Sequence, residues 1–378
     1  MKPSGSLTSA VLYLAVVPFY RQECIDALQE AMGDRVTIFT GDRHCDPTVR
    51  TGIRSDQYVA VSNRFIAGRR LLLQTGHWGQ VLRADVAILD LNPRSLTAWI
   101  LTLARWALRR RTLLWGHLHP RAGADSRTNS LRQFLRRISN GTVLYGYDSV
   151  LLARAALPDQ PVWVAPNSLY RKAQLGPAGS VDGRNLILYV GRLEPAKKVD
   201  QLVRAFAAAG LAGNSTRLCI VGTGSMADDL AALAETLGCA DAVDFTGQVT
   251  DPRVLRDIYD RTILSVSPGY AGLSLTQSLG FGVPMLVSRH EPHAPEIELA
   301  GFGNVLFYDD QTELTEILQS INGFQQPEPS EVRRPVLDYY CAEDMAAGLQ
   351  AACEGRMQNL VLATGWPLSS VDITEDAV

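Results

Sequence analysis

Two cations stand five residues apart in Tyr189-Val-Gly191-Arg192-Leu-Glu-Pro-Ala-Lys197-Lys198, where an apolar run passes through a glycine into a helix starting near Pro195 or Lys198. Arg192 and Lys197, with the free amides of a helix start, suit a pyrophosphate. The lysine is informative because the chain holds 32 Arg against 4 Lys, and a compact ammonium beside phosphate oxygens is a reason to choose it. A basic helix end on the surface is the plain alternative. A second segment, Leu218-Cys-Ile-Val-Gly222-Thr-Gly224-Ser-Met-Ala227, reads as a strand, GxGxxA and a helix, with Asp244 about twenty residues beyond, which matches the dinucleotide fingerprint. Against that match, the motif follows the second strand of its series, and a tight turn alone also needs such glycines. A third segment, Ser267-Pro-Gly269-Tyr-Ala-Gly272-Leu273-Ser274-Leu-Thr276-Gln277, puts a flexible loop before a helix whose first amides suit an anionic or hydroxyl-rich ligand. Gln277, one turn in, faces the same way; ordinary helix initiation explains the pattern equally.

The elements that must position these residues alternate. Apolar runs at Val11–Val17, Val36–Thr40, Val86–Leu91, Thr112–Trp115, Val143–Tyr145 and Val162–Ala165 predict strands, with helices over 21–32, 95–108, 131–138 and 149–156. A second series has strands at Leu186–Val190, Leu218–Val221, Val243–Phe245, Ile263–Val266, Met285–Val287 and Val305–Phe307. Helices over 199–209, 226–237, 252–259, 274–281 and 312–321 lie between them. This is the βα alternation of two doubly wound parallel sheets. The expected domains are 1–170, a linker over 171–184, 185–340, and a C-terminal helix and tail over 341–378 packing back on the first domain. Ligands of open α/β sheets sit beyond the carboxyl ends of the strands, so the expected site is a cleft between the sheets, where His117, Gly191, Gly222, Gly247 and Gly269 gather.

GRLEPAKK, then IVGTG with Phe245-Thr-Gly247, then PGYAGLSLTQSLGFGVP followed by Pro295-Glu296-Ile297, jointly resemble the retaining glycosyltransferases of the GT-B fold, specifically glycosyltransferase family 4. The resemblance covers residues 185–300 and implies two Rossmann-like domains facing across a cleft, a nucleotide-sugar donor on the C-terminal domain and a glycan or lipid-linked acceptor mostly on the N-terminal one. It implies no cofactor beyond the nucleotide-sugar and no bound metal, and the chain lacks an Asp-x-Asp triplet. Carried over, Arg192 and Lys197 hold the diphosphate. Gly222 and Gly224 line the nucleotide pocket, Gly191 is donor-binding, and Gly247 to Val249 meet the base. Gly272, Leu273 and Ser274 cradle sugar and phosphates, and His117 in Leu114-Trp-Gly-His117 stands beside the donor sugar, with His119 as a neighbour that can be confused with it. The family's two glutamates, eight apart, fall here on Gly269 and Gln277, the family glycine after the motif lysine is Lys198, and Pro18-Phe-Tyr-Arg21 stands where a Gly-Gly loop is usual.

Charge divides unevenly along the chain. Residues 1–172 hold 23 Lys+Arg against 12 Asp+Glu, and within 91–140 ten Arg face one acid, Asp125. That stretch and the apolar helix 96–108 imply peripheral contact with an anionic membrane face, although a core helix in a solvated basic surface reads the same way. No nucleic-acid module accompanies the charge. Six scattered Cys with no CxxC pair imply a reduced, cytoplasmic setting. The start imitates a secretory signal but has no A-x-A site and reads better as a buried strand. Two readings of other classes stay open: a nucleotide-sugar binding protein that kept the fold and lost catalysis, and a nicotinamide-dependent oxidoreductase.

Overall fold

The computed structural model describes residues 9–46, 49–119, 126, 128–213, 215–361 and 363–367. Arg121, Asp125 and Arg127 of the arginine-rich stretch, the first eight residues and the tail from 368 lie outside them. The chain divides into two compact units, one made of residues up to Arg171 and a return segment from Tyr340, the other of Lys172–Tyr339.

The first unit carries β1 (Ala10–Leu14), α1 (Gln22–Met32), β2 (Val36–Thr40), β3 (Val59–Ala60), β4 (Ser62–Ile66), β5 (Leu71–Thr75), α2 (Trp78–Arg83) and β6 (Val86–Asp90). It continues with α3 (Leu96–Ala107), β7 (Arg111–Gly116), α4 (Asn129–Arg137), β8 (Thr142–Leu144), α5 (Ser149–Ala156) and β9 (Val162–Val164). Seven strands form a parallel sheet ordered β3-β2-β1-β6-β7-β8-β9, so the winding reverses between β1 and β6. Both faces are buried, as parallel strands require: Val86 and Ile88 join a cluster with Leu12 and Trp115, while Ala87 and Leu89 join another with Tyr13 and Leu114. The strand predicted to run through Val17 ends at Leu14, because the Ala15 N–H turns to Asp90 Oδ2 at 2.6 Å.

In the second unit come α6 (Lys172–Leu175), β10 (Leu186–Val190), α7 (Val199–Ala208), β11 (Arg217–Val221), α8 (Ala227–Thr236), β12 (Val243–Gly247), α9 (Pro252–Tyr259) and β13 (Thr262–Ser267). Then follow α10 (Leu273–Gly280), β14 (Met285–Ser288), β15 (Val305–Tyr308), α11 (Gln311–Gln319) and α12 (Pro329–Tyr339). Its six strands are parallel in the order β12-β11-β10-β13-β14-β15, reversing between β10 and β13. The sequence patterning assigns no element to β3, the β4–β5 hairpin, α2, α6 or α12. The β4–β5 hairpin is antiparallel and turns through Ala67, Gly68 and Arg69, all at positive φ, and α12 starts at Pro329 in a segment that reads as a break. Proline at a first turn gives up an amide that has no helical partner.

The return segment is α13 (Ala342–Glu354), which packs on α1 and puts Ala342, Met345 and Leu349 into the first unit's core. Gly348 makes this approach possible: a Cβ there would overlap the Val164 carbonyl and lie 2.9 Å from the Ala165 Cα. Arg111 donates to the Ala352 and Cys353 carbonyls at 2.7 and 2.9 Å, placing a cation at the negative end of α13.

Candidate functional site

Four loops leave the carboxyl ends of β10, β11, β12 and β13 in the second unit, and hydrogen bonds fasten three of them together. Gly191 N–H donates to the Val221 carbonyl at 3.0 Å, Leu193 N–H to Thr223 at 2.9 Å, Met226 N–H to Leu193 at 2.9 Å and Gly222 N–H to Gly247 at 2.8 Å. Glu194 adds a side-chain tie, accepting from the Ser225 hydroxyl at 2.8 Å. So close an approach explains the glycines: a Cβ on Gly222 would overlap the Gly191 carbonyl, and one on Gly224 that of Leu193. Gly222 and Gly247 also take φ of +150° and +70°. Asp244, the acid that a dinucleotide reading would aim at a ribose, is instead paired with Arg217 at 2.6 Å.

The fourth loop is pinned to the same cluster. Lys197 Nζ donates to the Tyr270 carbonyl at 2.6 Å and lies 5.3 Å from the Tyr270 ring centroid. Gly269 presses against this turn, since its Cβ would sit 2.5 Å from the Ala196 carbonyl oxygen and 2.7 Å from the Lys197 Cα. The turn and the loop are too close here for the glutamate that the resembled family carries. Lys198 takes φ +52°, the left-handed conformation that glycine holds without strain, and is fixed by an ion pair with Glu291. Arg192 is exposed, and its carbonyl accepts from the Tyr189 hydroxyl at 2.9 Å. Gly272 caps α10, Leu273 and Ser274 open its first turn half-buried, and Gln277 is buried one turn on. Val249 is half-buried just after β12.

Sequence reasoning missed His293. Its Nε2–H donates to the Ser288 carbonyl at 2.6 Å and its Nδ1 accepts from the Ala271 N–H at 3.1 Å, so it locks the Gly269–Gly272 loop as a neutral ring. Burial pushes its pKa down, against the pull of the Ser288 carbonyl and Glu291. A histidine shortly after an apolar strand was the only signal for it.

His117 belongs to the other unit, just past β7. The residue is exposed, its ring packs on Tyr145 with centroids 4.8 Å apart, and its carbonyl accepts from Arg132 at 2.9 Å. The protein packed around the ring, then the charges of Arg132 and Arg21, push its pKa down, so the imidazole is neutral at pH 7. His119 is taken up at the start of α4, 3.2 Å from the Asn129 Oδ1. Sequence reasoning also missed Asp90, the acid that ends β6 at the reversal of the first sheet. Desolvation raises its pKa to about 7 although the Ala15 N–H favours the anion. Among the described residues, no three His, Cys, Asp or Glu side chains form a group able to hold a metal ion, and no helix is long and apolar enough to cross a membrane.

Residues 171–322 match the family model described as glycosyl transferases group 1. No curated protein matches the sequence. Among solved structures, HepE from Anabaena in complex with UDP superposes with a TM-score of 0.65 at 14% identity, covering 92% of this chain and 100% of that one. The lipopolysaccharide outer core galactosyltransferase WaaB in its apo form gives 0.62 at 13%, covering 92% and 100%. Sucrose-phosphate synthase from Thermosynechococcus elongatus gives 0.60 at 15%, covering 91% and 98%. At these identities the likeness is one of fold.

Proposed function

From the premise that residues 171–322 form a glycosyl transferases group 1 domain on a GT-B scaffold, we propose that the protein is a retaining glycosyltransferase. It moves a hexose from a nucleoside-diphosphate sugar to a hydroxyl of a glycan or lipid-linked oligosaccharide. The observation that supports this most is the fastening of the β10, β11 and β12 loops to one another, with Lys197 pinning the loop before α10 to the same turn. The solved HepE complexes contain UDP, UDP with glucose, or UDP-glucose, which favours a donor of that chemical class.

In this reading the diphosphate lies against Arg192, Lys197 and the open amides of Leu273 and Ser274, and the nucleoside runs past Gly191, Gly222 and Gly224 toward Gly247 and Val249. Gln277 takes ribose hydroxyls as donor and acceptor at once. The bond from the anomeric carbon to the diphosphate breaks, the acceptor oxygen bonds to that carbon on the same face, and the acceptor proton leaves with the diphosphate oxygen. Charge grows on the diphosphate as the sugar gains oxocarbenium character, so fixed cations and amides stabilise the transition state more than the ground state. His117 keeps the role that the resemblance implies for it, accepting a hydrogen bond from a sugar hydroxyl. This chemistry assigns no role to a metal or to a further cofactor.

A panel of nucleoside-diphosphate sugars screened by thermal shift identifies the donor, after which turnover is compared for Arg192→Ala and Lys197→Ala. Each substitution is expected to lower kcat/KM about a hundredfold, or ~3 kcal/mol, with the fold kept. Wild-type rates in both folded variants would overturn the assignment. Tight nucleotide binding without turnover on any donor would instead mark a binding protein that lost catalysis.

A further inference from the structure

We propose that the outward faces of α3 and α4 form a docking surface for an anionic lipid bilayer. The observation is a helix that keeps large apolar side chains on its solvent face while burying polar ones. A helix on a sheet normally buries its apolar side and wets its polar side. In α3 the buried side mixes Ala98 and Leu101 with Thr97, Thr102 and Arg105, while the solvent side holds Ile100, Leu103 and Trp106, the last 65% exposed. The inner polar groups are engaged: Thr97 Oγ1 accepts from the Gln74 N–H at 2.7 Å, and Arg105 donates to the Thr112 hydroxyl at 3.0 Å and the Ala84 and Arg111 carbonyls at 3.1 and 2.6 Å.

α4 repeats the pattern, burying Leu135 together with an arginine. Arg136 is buried, donating to Thr142 at 3.0 Å and to the Ala153 carbonyl at 3.1 Å, while Leu131 and Phe134 are 50% and 54% exposed. Trp99 and Phe134 stack with centroids 6.0 Å apart, which joins the two faces into one apolar strip. An exposed strip of this kind marks an interaction surface.

Charge complementarity selects the occupant. Arg105, Arg132 and Arg136 spend their charge on internal carbonyls and hydroxyls, but Arg109, Arg110 and Arg137 are exposed at the helix ends. Arg110 is 3.8 Å from Asp85 in a solvent-exposed pair. Aliphatic and Trp side chains flanked by arginine match the acyl boundary and the anionic headgroups of a bilayer. A second copy of this chain would bring the same positive rim against itself.

The test uses the full chain sedimented with vesicles of phosphatidylglycerol and phosphatidylcholine, or of phosphatidylcholine alone, at low and high salt. We expect binding to the anionic vesicles only, weakened by salt, with a blue shift of tryptophan emission. Leu103→Ser with Trp106→Ser should lower the partition coefficient at least tenfold. Arg109→Ser and Arg137→Ser should each lower it about fivefold, with Tm unchanged because all four side chains are exposed. Equal binding to neutral vesicles, no binding to either kind, or patch variants that bind like wild type would each overturn the proposal. So would a dimer that Leu103→Ser dissociates while vesicles leave it untouched, which would make a second copy the occupant. Nucleotide binding to the second unit is a separate measurement, so the outcome does not depend on the donor assignment.

Discussion

Asp90 holds its proton near neutrality where a neutral side chain would cost less. With a folded pKa raised to about 7, its native carboxyl keeps a proton that the unfolded chain loses near pH 4, so it contributes stability below pH 4 that fades as pH rises through 7. His117, with a lowered pKa, acts in the opposite sense, because the unfolded chain takes the proton first as pH falls. Comparing Tm against pH for wild type and Asp90→Asn isolates the carboxyl. The variant retains an oxygen for the Ala15 N–H, and its Tm should exceed that of wild type at pH 8 and converge with it at acid pH. A wild-type Tm that does not fall relative to the variant between pH 5 and 8 would refute a raised carboxyl. In the second unit, Gly222→Ala forces a methyl onto the Gly191 carbonyl and is expected to cost ~1–3 kcal/mol and to weaken nucleotide binding, measurable by denaturant unfolding and titration.

At the level of elements, the alternation of apolar strands and amphipathic helices was legible because buried parallel strands are apolar on both faces, as Val86 to Leu89 are. The β4–β5 hairpin escaped because Ser62-Asn-Arg-Phe-Ile66 alternates without a strong apolar face, and its turn relies on Ala67 and Arg69 at φ of +53° and +65°. Such torsions leave little trace in residue type. The glycines of the second unit were legible as turn formers, but the contact of Gly269 with Ala196 and Lys197 joins loops more than seventy residues apart and no local pattern carries it. His293 and Asp90 were hidden for the same reason, since each acts through a partner on another strand or loop. Packing of α13 supplies a further prediction: Gly348→Ala should destabilise the first unit by ~1–3 kcal/mol while leaving nucleotide affinity unchanged, as thermal unfolding and titration would show.

Over the whole molecule, the positive balance of the first half is less of an external field than its count implies, because Arg105, Arg111, Arg132 and Arg136 are occupied with carbonyls and hydroxyls inside the first unit. Those residues serve the fold, and the few at the helix ends remain for a partner. Lys172–Tyr339 forms a continuous unit, whereas the core of the first unit waits for Met345 and Leu349. Truncation at 339 is therefore expected to leave a protease-resistant core spanning the second unit and a labile first one, as limited proteolysis would reveal. During translation the later-encoded unit can finish first. At ribosomal speeds the opening sheet is left with its α1 side bare for roughly 10–40 s until the closing helix emerges, an interval in which its apolar surface is open to aggregation.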